Sequence, residues 1–166
     1  MLSTVPNDTE EFPPSASQNG LAEAFADIAL RHGRSLSAAD IMRRQPYDPR
    51  GTTLSSLGEV ASDLGFDVHV ATMPLKAVPT VTLPVIIFDA DGRAMLLTKL
   101  SIKRNEATVV VPIAGKGEHR CKLRDLAKTH SGIVVFIKPS SNAYSAPEGA
   151  SLETKGHWFW STFRAF

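Results

Sequence analysis

Apolar residues recur at helical spacing in the first third of the chain, which predicts three helices. The first helix begins at Gly20 and ends at His32-Gly33, because glycine suits the left-handed position after a helix. Ser37 and Asp40 match a capping box that opens a short second helix. The third helix follows Gly51, and its apolar stripe consists of Leu54, Leu57, Val60, Ala61 and Leu64.

Beyond Gly65 the pattern changes to the alternation that is typical of strands. An Asp-Gly turn at residues 89–92 predicts a hairpin between two apolar strands. A helical turn at residues 123–127 interrupts the later strands. Strands are predicted at residues 66–72, 83–88, 93–100, 107–113, 120–123 and 132–139. Helices followed by a mostly antiparallel sheet with one inserted helix predict an α+β domain.

Composition divides the chain into four segments. Residues 1–18 are polar, acidic and rich in Pro and Ser, which predicts a disordered leader. Residues 19–139 form the domain, and residues 140–156 form a polar linker. Residues 157–166 combine aromatic and basic side chains, which suits a membrane–water interface. The aromatic residues expected at that interface include Trp158, Phe159 and Trp160. Alternatively, this segment folds back onto the domain's own core.

The charge balance excludes some classes of function. The chain has 18 basic and 17 acidic residues, so it offers no electrostatic basis for binding nucleic acid. No apolar run approaches the ~20 residues that span a bilayer, and the first residues do not resemble a signal peptide. A single cysteine, Cys121, excludes an internal disulfide and fits a reducing compartment.

Motifs for catalysis or for cofactors are scarce. The five histidines lie in different predicted elements without ligand spacing, so no metal site is predicted. The stretch Gly115-Lys116-Gly117 lacks the hydroxyl residue of a phosphate-binding loop, and no other cofactor motif occurs. Cys121 is the one candidate nucleophile, because His119 would share its strand face and nearby positive charge would lower the pKa of the thiol. The alternative is a structural thiol.

The order of these elements resembles the peptidase C39 family. It is most similar to the degenerate C39-like domain at the N-terminus of ATP-binding-cassette transporters in bacterial type I secretion, of the haemolysin (RTX) or large-adhesin exporter type. The resemblance covers residues 20–139, and residues 157–160 look like the junction before the first transmembrane helix. It rests on residues 51–54, 83–86, 91–99 and 131–136. A papain-like fold is implied, with N-terminal helices packed on a mostly antiparallel sheet.

The resemblance also locates the catalytic positions. Active relatives carry a Cys at the start of the first helix, a His after an Asp-Gly-Arg turn and an Asp before Pro on the next strand. Here these positions hold Gly20, or Asn19 if the alignment slips by one, then Ala94 and Val111, and the oxyanion-hole Gln becomes Pro14. None of these side chains can act as nucleophile, base or orienting carboxylate. The haemolysin-exporting relatives keep the His, so this chain departs from them at Ala94.

The resemblance therefore implies a pseudo-peptidase that needs no cofactor and works at the cytoplasmic face of the inner membrane. Its expected partners are the unfolded secretion substrate and the rest of the transporter, an ATPase with transmembrane and nucleotide-binding domains. A membrane fusion protein and an outer-membrane channel complete the system. The alternatives are a docking module for the nucleotide-binding domains, or a peptidase that uses Cys121.

The substrate is expected along the vestige of the peptidase cleft, where Phe88 and Arg31 would present an aromatic ring beside a cation. The alternative for Phe88 is that its ring packs in the core as the last residue of a buried strand. These two residues are the substrate-binding candidates that the sequence provides.

Overall fold

The structure, a computed structural model, describes residues 17–46, 52–112 and 117–141. Most of the predicted leader and linker, and the whole aromatic segment with Trp158, Phe159 and Trp160, lie outside the described residues. The α-helices are α1 (Ser17–Arg31), α2 (Ala38–Arg43), α3 (Leu54–Asp63) and α4 (Leu123–Thr129). The strands are β1 (Phe66–Thr72), β2 (Val85–Asp89), β3 (Ala94–Ser101), β4 (Glu106–Val110), β5 (His119–Lys122) and β6 (His130–Pro139). Two 3₁₀ turns, Leu75–Ala77 and Thr80–Thr82, connect β1 to β2.

The strands form one six-stranded sheet in the order β1-β6-β2-β3-β4-β5. Every neighbouring pair is antiparallel, which confirms the predicted α+β class. The last strand, β6, lies between β1 and β2. Ile86 of β2 consequently has Val135 of β6 on one side and Leu96 of β3 on the other.

Each face of the sheet is covered by its own hydrophobic cluster. The first cluster joins α1, α2 and α3 to one face, and the second joins α4 and the Leu75–Ala77 turn to the other. Because successive side chains of a strand alternate between faces, Ile86 enters the first cluster while Val85 and Ile87 enter the second. β2 is apolar along most of its length because both of its faces are buried.

The second helix begins with the predicted capping box. The Ser37 hydroxyl accepts a hydrogen bond from the Asp40 N–H at 3.1 Å, and the Asp40 carboxylate accepts one from the Ser37 N–H at 3.2 Å. Hydrogen bonds from the Ser37 side chain and backbone hold the pKa of Asp40 below its usual value. A reciprocal pair of the same kind, Thr53 with Ser56, opens α3.

The turn between β2 and β3 is held by one carboxylate. Oδ1 of Asp89 accepts hydrogen bonds from the N–H groups of Asp91 and Arg93, both at 2.9 Å, and Gly92 has a φ of +78°. β2 therefore ends at Asp89, one residue later than predicted, and β3 begins at Ala94. This turn places Phe88 directly opposite Ala94 in the sheet.

Candidate functional site

The structure brings α1 and the start of β3 into one buried contact, named here the vestigial cleft. Gly20 is buried in α1, and its neighbour Leu21 belongs to the first cluster together with Ala94, which is only 5% exposed. Val111 follows directly after β4 and is half-buried. Two of the three positions of the inferred triad, Gly20 and Ala94, are therefore buried where α1 meets the sheet.

Phe88 lies at the edge of the vestigial cleft. Its ring packs against the first cluster and is half-buried, so it is neither fully exposed nor a fully buried core residue. The ring of His130 holds this end of β2, with Nδ1 3.3 Å from the Phe88 carbonyl oxygen and Nε2 3.2 Å from that of Met73.

Arg31 lines a different concavity, a groove of about 500 Å³ at the C-terminal end of α1. Its side chain is largely exposed and forms an ion pair of 3.2 Å with Asp27 one turn earlier. The polar lining of the groove also includes His32 and the cationic Lys138. The apolar side consists of Val81, Leu83, Pro84, Phe136 and Ile137. Val81 is 86% exposed and adds an accessible aliphatic side chain to the groove.

The groove and Phe88 are separate features. The groove contacts β2 at Pro84, just before the strand, whereas Phe88 lies near its other end and does not line the groove. Four residues of extended chain separate these positions by roughly 13 Å. The expectation that Phe88 and Arg31 form one aromatic–cation site is therefore corrected: the direction of β2 places them at opposite ends of the strand.

Cys121 lies on the wrong face of the sheet to serve the vestigial cleft. It is half-buried in β5 opposite Ala107, and its side chain packs against the second cluster. Burial, and next the carboxylate of Asp125, raise the pKa of the thiol. The predicted lowering of this pKa by nearby cations is wrong, because desolvation of the half-buried thiol and, next, the Asp125 carboxylate both disfavour the thiolate.

Within residues 17–46, 52–112 and 117–141, no group of three or more His, Cys, Asp or Glu side chains could hold a metal ion. Over the same residues, none of the helices has the length and apolar character that crossing a membrane requires.

A model of the peptidase C39 family matches residues 15–142, and the chain belongs to this family. The family predicted from the sequence is thereby confirmed. No curated protein sequence matches the chain.

Several solved structures share the fold. The N-terminal peptidase C39 like domain of the toxin secretion ATP-binding protein from Vibrio parahaemolyticus is 19% identical, with a TM-score of 0.66 over 73% of this chain and 97% of that chain. The peptidase domain of Streptococcus ComA, a bi-functional ABC transporter, is 17% identical, with a TM-score of 0.64 over 76% and 96%. A double glycine motif protease from an AMS/PCAT transporter, in complex with the leader peptide, is 12% identical, with a TM-score of 0.60 over 76% and 86%.

The groove is the feature that the sequence did not predict. Its exposed aliphatic residue, Val81, lies in the 3₁₀ turn Thr80–Thr82, where no periodic pattern assigns it to a face. The one signal in the sequence is Val81 itself, an apolar residue flanked by Thr80 and Thr82.

Proposed function

We propose that this domain recruits an unfolded secretion substrate without cleaving it, as the N-terminal cytoplasmic domain of a bacterial type I secretion transporter. The observation that carries the proposal is the vestigial cleft. There, a buried glycine and a buried alanine occupy the positions inferred for the nucleophile and the base of a C39 peptidase.

Cysteine peptidase chemistry needs a thiolate within hydrogen-bond reach of a base. Gly20 has no side chain to attack with, and the methyl group of Ala94 cannot accept a proton. The chain's single cysteine, Cys121, packs on the opposite face of the sheet, and its raised pKa keeps it a thiol near neutral pH. These three facts support a binding role rather than a hydrolytic one.

We predict that the protein leaves double-glycine leader peptides uncut. The expected result is that no product is detected by mass spectrometry after prolonged incubation, with an active C39 peptidase as the positive control. The Cys121→Ala variant should give the same result as the unmodified chain. Cleavage that disappears in Cys121→Ala would refute the proposal and establish a relocated nucleophile.

The groove beside Arg31 is the proposed contact for the substrate. Its volume of about 500 Å³ lies in the range of ligand pockets, and it combines an apolar side with a cationic side. This arrangement suits an extended segment that offers one apolar side chain. A similar fold, the double glycine motif protease, holds a leader peptide, which supports peptide binding by this architecture. Binding should be weak because an unfolded ligand loses conformational entropy when it docks.

We predict that Val81→Ser weakens the binding of an unfolded type I secretion substrate several-fold, and that Arg31→Ala does the same. Val81 is 86% exposed, so its replacement should not disturb folding. The matched control is Val70→Ser, on β1, a residue that is 53% exposed and lies outside the groove. Affinity is measured by titration followed with NMR chemical shifts.

The same titration distinguishes the alternatives. If Phe88→Ala weakens binding while Val81→Ser does not, the substrate contacts the edge of the vestigial cleft rather than the groove. If unfolded substrates shift no groove resonance but the transporter's nucleotide-binding domains do, the domain is a docking module. Either result would contradict the assignment of the groove to the substrate.

A further inference from the structure

Strands β3, β4 and β5 present a cationic surface on the face opposite the second cluster. Lys99 lies opposite Thr108, which in turn lies opposite Arg120, so these three side chains share one face. The adjacent row, Leu100, Ala107 and Cys121, packs in or against the second cluster on the other face. Lys99 and Arg120 are therefore exposed on the side away from that cluster.

The turn between β3 and β4 adds an aliphatic side chain to this surface. Ile102 is 56% exposed and is followed directly by Lys103 and Arg104. Asn105, with a φ of +53°, anchors the turn to the start of α4. Its carbonyl oxygen accepts a hydrogen bond from the Leu123 N–H, and its side-chain oxygen accepts one from the next N–H, both at 3.0 Å. The exposed isoleucine and its two cations are thus held in place.

Positive charge is concentrated in this part of the chain. Residues 99–128 contain eight of the 18 basic residues but only three of the 17 acidic ones, which leaves ten basic against fourteen acidic residues elsewhere. Two of the three carboxylates are paired within the region: Glu118 with Lys99 at 3.3 Å and Asp125 with Lys128 at 3.6 Å. The third, Glu106, is half-buried. The edge of the sheet that this segment forms is therefore basic in a nearly neutral protein.

We infer that this basic edge, formed by Lys99, Ile102, Lys103, Arg104, Arg120 and Lys122, docks onto the anionic lipid headgroups of a membrane. The inference rests on the proposed function, which locates the domain at the cytoplasmic face of the inner membrane. Clustered Lys and Arg residues bind anionic headgroups, and each contributes about fivefold to partitioning. An aliphatic side chain flanked by cations suits insertion at the boundary of headgroups and acyl chains.

The geometry favours a lipid surface over an acidic protein segment. Lys99, Arg104 and Arg120, together with Glu106, line a shallow depression of about 230 Å³ that has room for a headgroup phosphate. The single large apolar residue of the edge lies at the tip of a turn, where it can enter a bilayer, rather than inside a groove. Peptides that bind through apolar side chains dock into grooves, whereas Ile102 is 56% exposed at a turn.

The test is cosedimentation of the whole chain with vesicles of phosphatidylcholine, or of phosphatidylcholine and phosphatidylglycerol in equal parts. The protein should bind only the anionic vesicles, and high salt should release it. The double variant K103E/R104E should lower the partition coefficient by more than about tenfold, and Ile102→Ser should lower it several-fold. Lys76→Glu, an exposed lysine outside the basic edge, should remain within about twofold of the unmodified chain.

Three results would overturn the inference. Salt-insensitive binding that K103E/R104E leaves unchanged would assign membrane contact to residues 157–166 instead. Equal binding to both kinds of vesicle would exclude recognition of charge. Loss of affinity for an unfolded acidic polypeptide, with vesicle binding intact, would make the basic edge a protein contact. The groove variant Val81→Ser should bind vesicles normally, so failure of this inference and failure of the proposed function are distinguishable.

Discussion

Replacement of Ile86 by Ala should lower the free energy of unfolding by about 3 to 4 kcal/mol, because it opens a cavity at the centre of the sheet. Ile86 is fully buried in the first cluster, between Val135 and Leu96 on the neighbouring strands. Domains of this size are stable by roughly 5–15 kcal/mol, so the loss is a large fraction of the total. Chemical denaturation followed by circular dichroism measures it.

Two matched variants make this measurement specific. Ile86→Val removes one methylene group and should cost only about 1 kcal/mol. Val81→Ala truncates a side chain that is 86% exposed and should change stability by less than about 0.5 kcal/mol. A loss below about 1 kcal/mol for Ile86→Ala would contradict the packing of the first cluster around β2.

Cys121 should react with thiol reagents far more slowly at neutral pH than free cysteine does. The thiolate is the reactive form, and burial together with Asp125 raises the pKa of this thiol. The reaction rate should therefore rise about tenfold per pH unit and should still be rising at pH 9. Stopped-flow labelling over a range of pH measures the rate, and Cys121→Ser supplies the blank.

The controls separate the two causes of this slow reaction. Protein unfolded in denaturant should react like a model thiol, because the Cys121 side chain is then exposed to water. Asp125→Asn should raise the reaction rate modestly, because it removes only the smaller of the two causes of the raised thiol pKa. Reaction at pH 7 faster than that of free cysteine would identify an activated nucleophile and would reopen the peptidase interpretation.

The raised pKa of Cys121 also predicts how the free energy of unfolding depends on pH. The folded state retains the Cys121 proton to a higher pH than the unfolded state, since its pKa is raised. The stabilisation that this group provides is complete below the unfolded pKa and is lost as the pH rises through the folded pKa. Unfolding should therefore become easier in the alkaline range, and less so in Cys121→Ser.

Local patterns predicted most of the elements of this protein. The helix ends at Gly33 and Gly65 were predictable because both residues adopt φ values near +78° that other residues rarely accept. The capping box at Ser37 was predictable because its hydrogen bonds join residues that are only three positions apart in the sequence. Strand ends were less predictable, because pairing with a distant strand decides them.

The candidate site was only partly predictable. The resemblance to the peptidase C39 family predicts Gly20, Ala94 and Val111 as the triad positions, but the burial of Gly20 and Ala94 is a property of the packed domain. The predicted pairing of Phe88 with Arg31 did not hold. Both residues were expected beside the first helix, but the sequence pattern did not specify which end of β2 lies near Arg31. The groove brings together residues from α1, the 3₁₀ turn Thr80–Thr82 and β6. No local pattern could have joined these three elements.

The sequence alone determined most of the helices and strands, which family the chain resembles and that it contains a single thiol. Periodicity, turn residues and composition act over a few neighbouring residues, so they can be read along the chain. The tertiary structure alone decided that β6 lies between β1 and β2 and that Cys121 faces the second cluster. It also decided that Ile102 is exposed beside a row of cations. These features depend on contacts between distant segments, whose geometry is set when the sheet assembles and both of its faces are covered.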